Sequence, residues 1–273
     1  MRIERVSGAV GARIVGLDLA SRLDPATLGA ISQALNDYGV LFFPGQPVLS
    51  AEAHVRLTAQ FGAVETPPFL TRQSEHPQVL IVEFEQPKGS GADVWHQDGT
   101  HMEQPPKGTL LQAQVLPSFG GDTCFSCMYA AYEALSLPMR TMLDGLTALH
   151  SAGAMLASAG SRNQYAPGTP AQKPPVSHPV VTLNPETGRR RLFVNSLYTS
   201  RIEGLSESES SALLALLFEH IKSPEFQLRY TWSVGDIAFW DNHAVQHYAV
   251  ADYVERRRMQ RVTLLGERPL GVG

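Results

Sequence analysis

Short apolar runs at irregular spacing constrain this chain more than anything else in it. VLIVEF (79–84), TLLQAQV (109–115), PVVTL (179–183), RLFV (191–194), FQLRYTWSV (226–234), DIAFW (236–240) and RVTLL (261–265) are each of strand length. Helical patterns are gathered in a few places between them, which argues against repeating βαβ units. The arrangement predicts a mainly β fold with flanking helices, in which facing antiparallel sheets form a jelly roll. Neither G-x-G-x-x-G nor G-x-x-x-x-G-K-[ST] occurs, so nucleotide binding of those kinds is not expected.

The helices announce themselves by their ends. In SRLDPATLGAISQALNDYGVLFFPG (21–45), Asp24 is an N-cap, Pro25 takes the first helical position and Gly39 stops the helix. VLFF then reads as a short buried strand ending at Pro44 and Gly45. Further helices are predicted over 51–61, 129–146 and 206–222, the last opened by a capping box of Ser206 and Glu209. NPETGRR has the composition of a hairpin turn. No repeat or linker divides the chain, so one domain is expected over 1–273. The segment 151–178, rich in Ala, Ser, Gly and Pro, is expected to be a mobile loop of that domain.

Composition closes off several functions. With 273 residues, 43% of them hydrophobic, the chain can bury a large core. A net charge of −4 and the lack of any basic stretch argue against nucleic acid. No apolar run approaches the roughly 20 residues of a membrane span. The start, MRIERVSGAVGARIVGLDL, lacks the apolar core of a secretory signal, so a soluble, cytoplasmic protein is expected. Cys124 and Cys127 have no second pair with which to build a structural zinc site, and are read as two small buried residues.

VWHQDGTH (94–101) carries the first chemical signal. His96 and Asp98 are two apart, and in an extended segment alternate side chains point the same way, so both can reach one ion. The second signal is FWDNHAVQHYAVADYVERRRMQRVTLL (239–265), which offers the distant His247 as a third ligand. Two histidines and one carboxylate leave three coordination positions open and suit a non-haem Fe(II) that activates O2. Zinc is the competing metal, but a zinc hydrolase also needs a general base, and none stands out.

Together these residues resemble the Fe(II)/2-oxoglutarate-dependent dioxygenases of the taurine dioxygenase type, over nearly the whole chain. WHQD, LPSFGGDTCF, YEALS, LFVN with SRIEGLSESES, WDNHAVQHYAV and RRMQRVTLLG carry the likeness. The resemblance implies a cupin-like, double-stranded β-helix fold, with His96, Asp98 and His247 as iron ligands. His101 and His243 do not match ligand positions. It also implies that Thr123, 25 residues after Asp98, contacts the 2-oxoglutarate cosubstrate. Matched without a gap, the family's cosubstrate arginine falls on Arg257 and a second active-site arginine on Arg261. A slip of one residue would select Arg258 instead. A homo-oligomer, dimer or tetramer, is expected.

The implied reaction turns 2-oxoglutarate and O2 into succinate and CO2 while hydroxylating a small anionic substrate. A planar arginine suits the far carboxylate of 2-oxoglutarate better than lysine does. The taurine enzymes place a histidine on the sulfonate after FG, where FGAVETPPFLT puts Pro67. Taurine is therefore expected to be a poor substrate. NSLYTSRIEGLSESES resembles the aryloxyalkanoate dioxygenases, so aryloxyalkanoates, larger sulfonates or sulfate esters are expected, attacked beside the heteroatom. The competing readings are a zinc-dependent hydrolase and a non-catalytic binding protein on the same scaffold.

Overall fold

A computed structural model describes residues 1–66, 76–85, 92–153 and 174–272. The chain opens with the hairpin β1 (Arg2–Arg5) and β2 (Ala12–Val15), followed by α1 (Pro25–Tyr38), β3 (Val40–Phe43) and α2 (Ala51–Thr58). Next come β4 (Val79–Phe84), β5 (Gly108–Val115), β6 (Thr123–Cys127), α3 (Met128–Glu133) and α4 (Leu137–Leu143). The middle holds β7 (Thr147–His150), β8 (Val176–Pro179), β9 (Val181–Leu183), β10 (Arg190–Leu192), β11 (Thr199–Ile202) and α5 (Glu207–His220). The last stretch holds β12 (Gln227–Tyr230), β13 (Ile237–Asp241), β14 (Val245–Ala249), β15 (Arg257–Leu264) and β16 (Leu270–Gly271).

Strands β1-β2-β3-β13-β5-β15-β4 form one sheet in that order, and β12-β6-β14 form a second. The space between them explains why VLFF is apolar at every position. Val40 and Phe42 of β3, with Ala238 and Trp240 of β13, pack against Phe125 and Tyr230 of the second sheet. Phe42 stacks on Tyr230 with ring centroids 3.8 Å apart. The alternate residues Leu41, Phe43, Ile237 and Phe239 face the other way, onto Ile31 and Ala34 of α1 and Leu57 of α2. A strand covered on both faces has no polar side to show. Facing sheets with helices outside make the expected jelly roll.

Helix α1 has the predicted ends. The Asp24 side chain accepts from Ala26 and Thr27 N–H, and Gly39 leaves the helix at φ 72°. The capping box at Ser206 and Glu209 is also present. The helix predicted over 129–146 is two helices instead. Ser136 caps α4 and Pro138 sits in its first turn, so a new helix starts where the apolar pattern runs on unbroken. PVVTL is likewise divided: β8 pairs with β7, and β9 with β10. Most of the 151–178 loop, residues 154–173, lies outside the described residues. Cys124 and Cys127 are free, and Cys127 is buried while Cys124 is half-buried.

Candidate active site

WHQD is not part of a sheet. It meets β14 at one antiparallel bridge, His96 N–H to the His247 carbonyl (3.1 Å) and His247 N–H to the His96 carbonyl (2.9 Å). Pairing of β14 with β6 then sets His247 opposite Phe125 and Ala249 opposite Thr123. Segments separated by more than a hundred residues thus converge on His247.

One ligand atom from each of His96, Asp98 and His247 lies within 4.8 Å of the others, and all three residues are buried. Among the described residues this is the one such group of three. The His96 Nδ1 is 2.7 Å from the Val94 carbonyl. A carbonyl can only accept, so Nδ1 carries the ring proton and the Nε2 lone pair is free for a metal. Burial keeps both imidazoles neutral: it lowers His96 against the pull of Asp98 and pushes His247 down to about 3. Burial alone would raise Asp98, but the Arg261 guanidinium, through its charge and its hydrogen bond, opposes it, and the carboxyl stays below its ordinary range. Two neutral imidazoles and a charged carboxylate are a donor set that fits a divalent metal.

Strand alternation sorts the arginine cluster. Arg256 and Arg258 both pair with Glu83 of β4, and Arg258 Nε also donates to Gln114 (2.9 Å). Arg257 points to the opposite side of β15, with 5% of its surface exposed. Its Nε donates to the Gly121 carbonyl (3.0 Å), and its buried Nη2 has no hydrogen-bond partner among the described residues. Burial works against its charge, with Tyr253 opposing that effect. Thr123 lies two residues from Gly121. Its hydroxyl oxygen accepts from Trp232 Nε1 (3.0 Å), so its own proton remains to be donated. Arg261 spans the Asp98 carboxylate at 3.2 Å to each oxygen.

His243 is also buried but belongs to no ligand group. Burial pushes it down to about 4, and its ring lies 5.1 Å from that of Phe193. The His101 ring packs 4.9 Å from Tyr198. Pro67 lies outside the described residues. The FG segment before it reaches the site, because Glu65 N–H bonds the Thr263 carbonyl (2.8 Å). Burial raises the Glu65 carboxyl, with Arg261 opposing and Asp98 adding to the rise.

Several supporting residues escaped the motif reading. His150 Nδ1 lies 3.0 Å from Thr100 Oγ1, and His178 Nε2 lies 2.9 Å from the Met102 carbonyl. Both histidines are buried, and they hold the turn after Asp98. Gly121 has φ 72°, and a Cβ there would stand 2.9 Å from Arg257 Cδ. The glycine makes room for the arginine. Its place in LPSFGGDT was the available signal.

A jelly roll holding two imidazoles and one carboxylate around a shared point defines a class, the non-haem iron oxygenases. The profile of the family described as taurine catabolism dioxygenase TauD, TfdA family, matches residues 2–263. An alpha-ketoglutarate-dependent sulfate ester dioxygenase of Pseudomonas putida is 37% identical, over 99% of this chain and 91% of its own. An alpha-ketoglutarate-dependent 2,4-dichlorophenoxyacetate dioxygenase of Burkholderia sp. (strain RASC) is 31% identical, over 94% and 91%. The crystal structure of a taurine dioxygenase from Burkholderia xenovorans superposes with a TM-score of 0.85 at 36% identity, over 99% and 92%. The chain belongs to the TauD/TfdA family and is a non-haem iron, 2-oxoglutarate-dependent dioxygenase.

Proposed function

We propose that this dioxygenase hydroxylates a small organic anion at the carbon next to its heteroatom, with sulfate esters as the first class to test. His96, Asp98 and His247 hold Fe(II), which with 2-oxoglutarate and O2 supplies the oxidising power to turn a substrate C–H into C–OH. Arg257 pairs with the far carboxylate of 2-oxoglutarate, and Thr123 donates its hydroxyl proton to the same group. The observation that carries this reading is the buried Arg257 guanidinium. It is a desolvated cation with an open donor and no ion-paired carboxylate among the described residues, which is an anion site in waiting. Arg261 sits on Asp98 and offers its charge to the substrate anion. Hydroxylation of a sulfate ester beside its ester oxygen leaves OH and O-sulfate on one carbon. That carbon then collapses to a carbonyl as hydrogen sulfate departs.

Succinate release tests this reading, measured on anaerobically iron-loaded protein across short alkyl sulfates, 2,4-dichlorophenoxyacetate and taurine. Alkyl sulfates and the aryloxyacetate are expected to turn over, and Arg261→Ala should slow both. Taurine is expected to lag by orders of magnitude, since Pro67 has no N–H for a sulfonate and a missing donor discriminates at about that scale. Efficient taurine turnover, or a preferred neutral substrate indifferent to Arg261→Ala, would overturn the substrate reading.

A further inference from the structure

We infer that Asn242 is a positioning residue for the Asp98 carboxylate, gripping the Asp98 peptide by both of its polar groups. The inference rests on the reading of Asp98 as an iron ligand. Asn242 is fully buried. Its Oδ1 accepts from Asp98 N–H (2.8 Å), and its Nδ2 donates to the Asp98 carbonyl (2.9 Å) and the Pro106 carbonyl (3.1 Å). One side-chain amide therefore satisfies donor and acceptor of a single residue 144 positions away in the chain.

The three ligands differ in what fixes them. His96 and His247 hold each other in register through their own backbone bridge. Asp98 has no such pairing: it stands at a turn beside Gly99, which adopts φ 64°. Its carboxylate is also drawn by Arg261. The Asn242 grip supplies the register that a strand would otherwise give, and it stands on a firm base. Asp241 Oδ1 accepts from His243 N–H (2.8 Å) and Ala244 N–H (3.2 Å), and Asp241 Oδ2 pairs with the buried Arg191 (2.9 Å). Arg191 also donates to Tyr129 Oη (3.0 Å). Gln97 adds a second tie across the same two segments, donating to the His243 carbonyl (3.0 Å).

A merely structural asparagine would affect stability alone, whereas a positioning residue also sets metal affinity. Anaerobic Co(II) titration, followed by visible absorption below the melting temperature, separates the two. Asn242→Ala is expected to bind Co(II) about 10- to 100-fold more weakly, the usual cost of losing an outer-shell partner. Asn242→Asp keeps the acceptor for Asp98 N–H, loses both donors, and should also weaken binding. Leu214→Ala, in the helical core cluster, should lower the melting temperature and leave Co(II) affinity unchanged. Affinity within twofold of wild type in Asn242→Ala overturns the inference, as does equal weakening in Leu214→Ala. A wild-type protein that takes up no Co(II) overturns the iron-site reading itself, a different failure. Should the Asn242 variants not fold, hydrogen exchange on the metal-free wild type decides: slow exchange of the Asp98 amide supports the grip, and fast exchange overturns it.

Discussion

The 96–102 turn and strand β15 each keep charged groups in place at the site, and they do so by opposite means. Around the turn, support comes from isolated ties made by distant segments: His247 to His96, Asn242 to Asp98, His150 to Thr100 and His178 to Met102. In β15, support comes from the pleat. Arg258 points to Glu83 and Gln114, while Arg257 points into the sandwich with its Nη2 unpaired among the described residues. Unbroken pairing with β4 fixes that alternation from Arg257 to Val262, whereas the β5 ladder begins at Arg258 and shifts register before Met259. Local order thus selects which arginine is buried, whereas only tertiary contacts define where the carboxylate stands.

The largest effect is expected at the turn. His247→Ala removes one of three proposed ligands without touching the backbone bridge, so the fold should persist while the site fails. The visible charge-transfer band of the anaerobic Fe(II)/2-oxoglutarate complex should vanish, together with succinate release. His243→Ala and His101→Ala should keep the band. A normal band in His247→Ala would show that the bridge brings the imidazoles together for some purpose other than iron.

Next in size is the strand. Arg257→Ala removes the proposed partner of the far carboxylate of 2-oxoglutarate, and the expected loss is about 2–5 kcal/mol, or roughly 30- to several-thousand-fold in affinity. Arg257→Lys should recover only part of it, because an ammonium cannot make the planar two-pronged contact. Arg258→Ala, which gives up a half-exposed pair with Glu83, should change 2-oxoglutarate binding only slightly. The reverse result in anaerobic cosubstrate titrations would break the claim that alternation chooses the arginine.

This contrast also explains what could be read in the sequence. Period-two order and capping chemistry are local, so β3, α1, the Ser206 capping box and the opposite facing of Arg257 and Arg258 all follow from neighbouring residues, whereas the preference for Arg257 came from the family resemblance. The ligand triad was legible because its spacing resembles a known family. Asn242, His150 and His178 were not, since each acts on a residue 50 or more positions away and leaves no periodic trace. Strands β6 and β14 were too short and too mixed in composition to stand out, yet they carry Thr123 and His247. The break between α3 and α4 is a different case. Ser136 and Pro138 were a readable start signal, outweighed by an apolar pattern that continues on both sides of them.

The effect expected from acid is the smallest for any single residue, and it reaches both regions. His150 and His243 lie around the turn, and His54 lies behind the strand, with its Nδ1 3.1 Å from Gln260 Nε2. Burial pushes His54 and His150 down to about 3 and His243 to about 4. An unfolded imidazole titrates near 6.5, so below that pH the unfolded chain binds protons that the folded chain refuses. Their contribution is therefore complete above about pH 6.5 and is lost as the pH falls toward the folded values. Each histidine contributes up to about 1.4 kcal/mol per pH unit within that window. Urea midpoints of the metal-free protein should fall steadily from about pH 7 to about pH 5. His54→Gln and His150→Gln should each flatten that slope by one proton's share. If only His150→Gln does so, the proton-sensitive neutral groups are confined to the turn, and β15 is held by its ladder alone. A midpoint independent of pH would mean that neither region depends on a neutral buried imidazole.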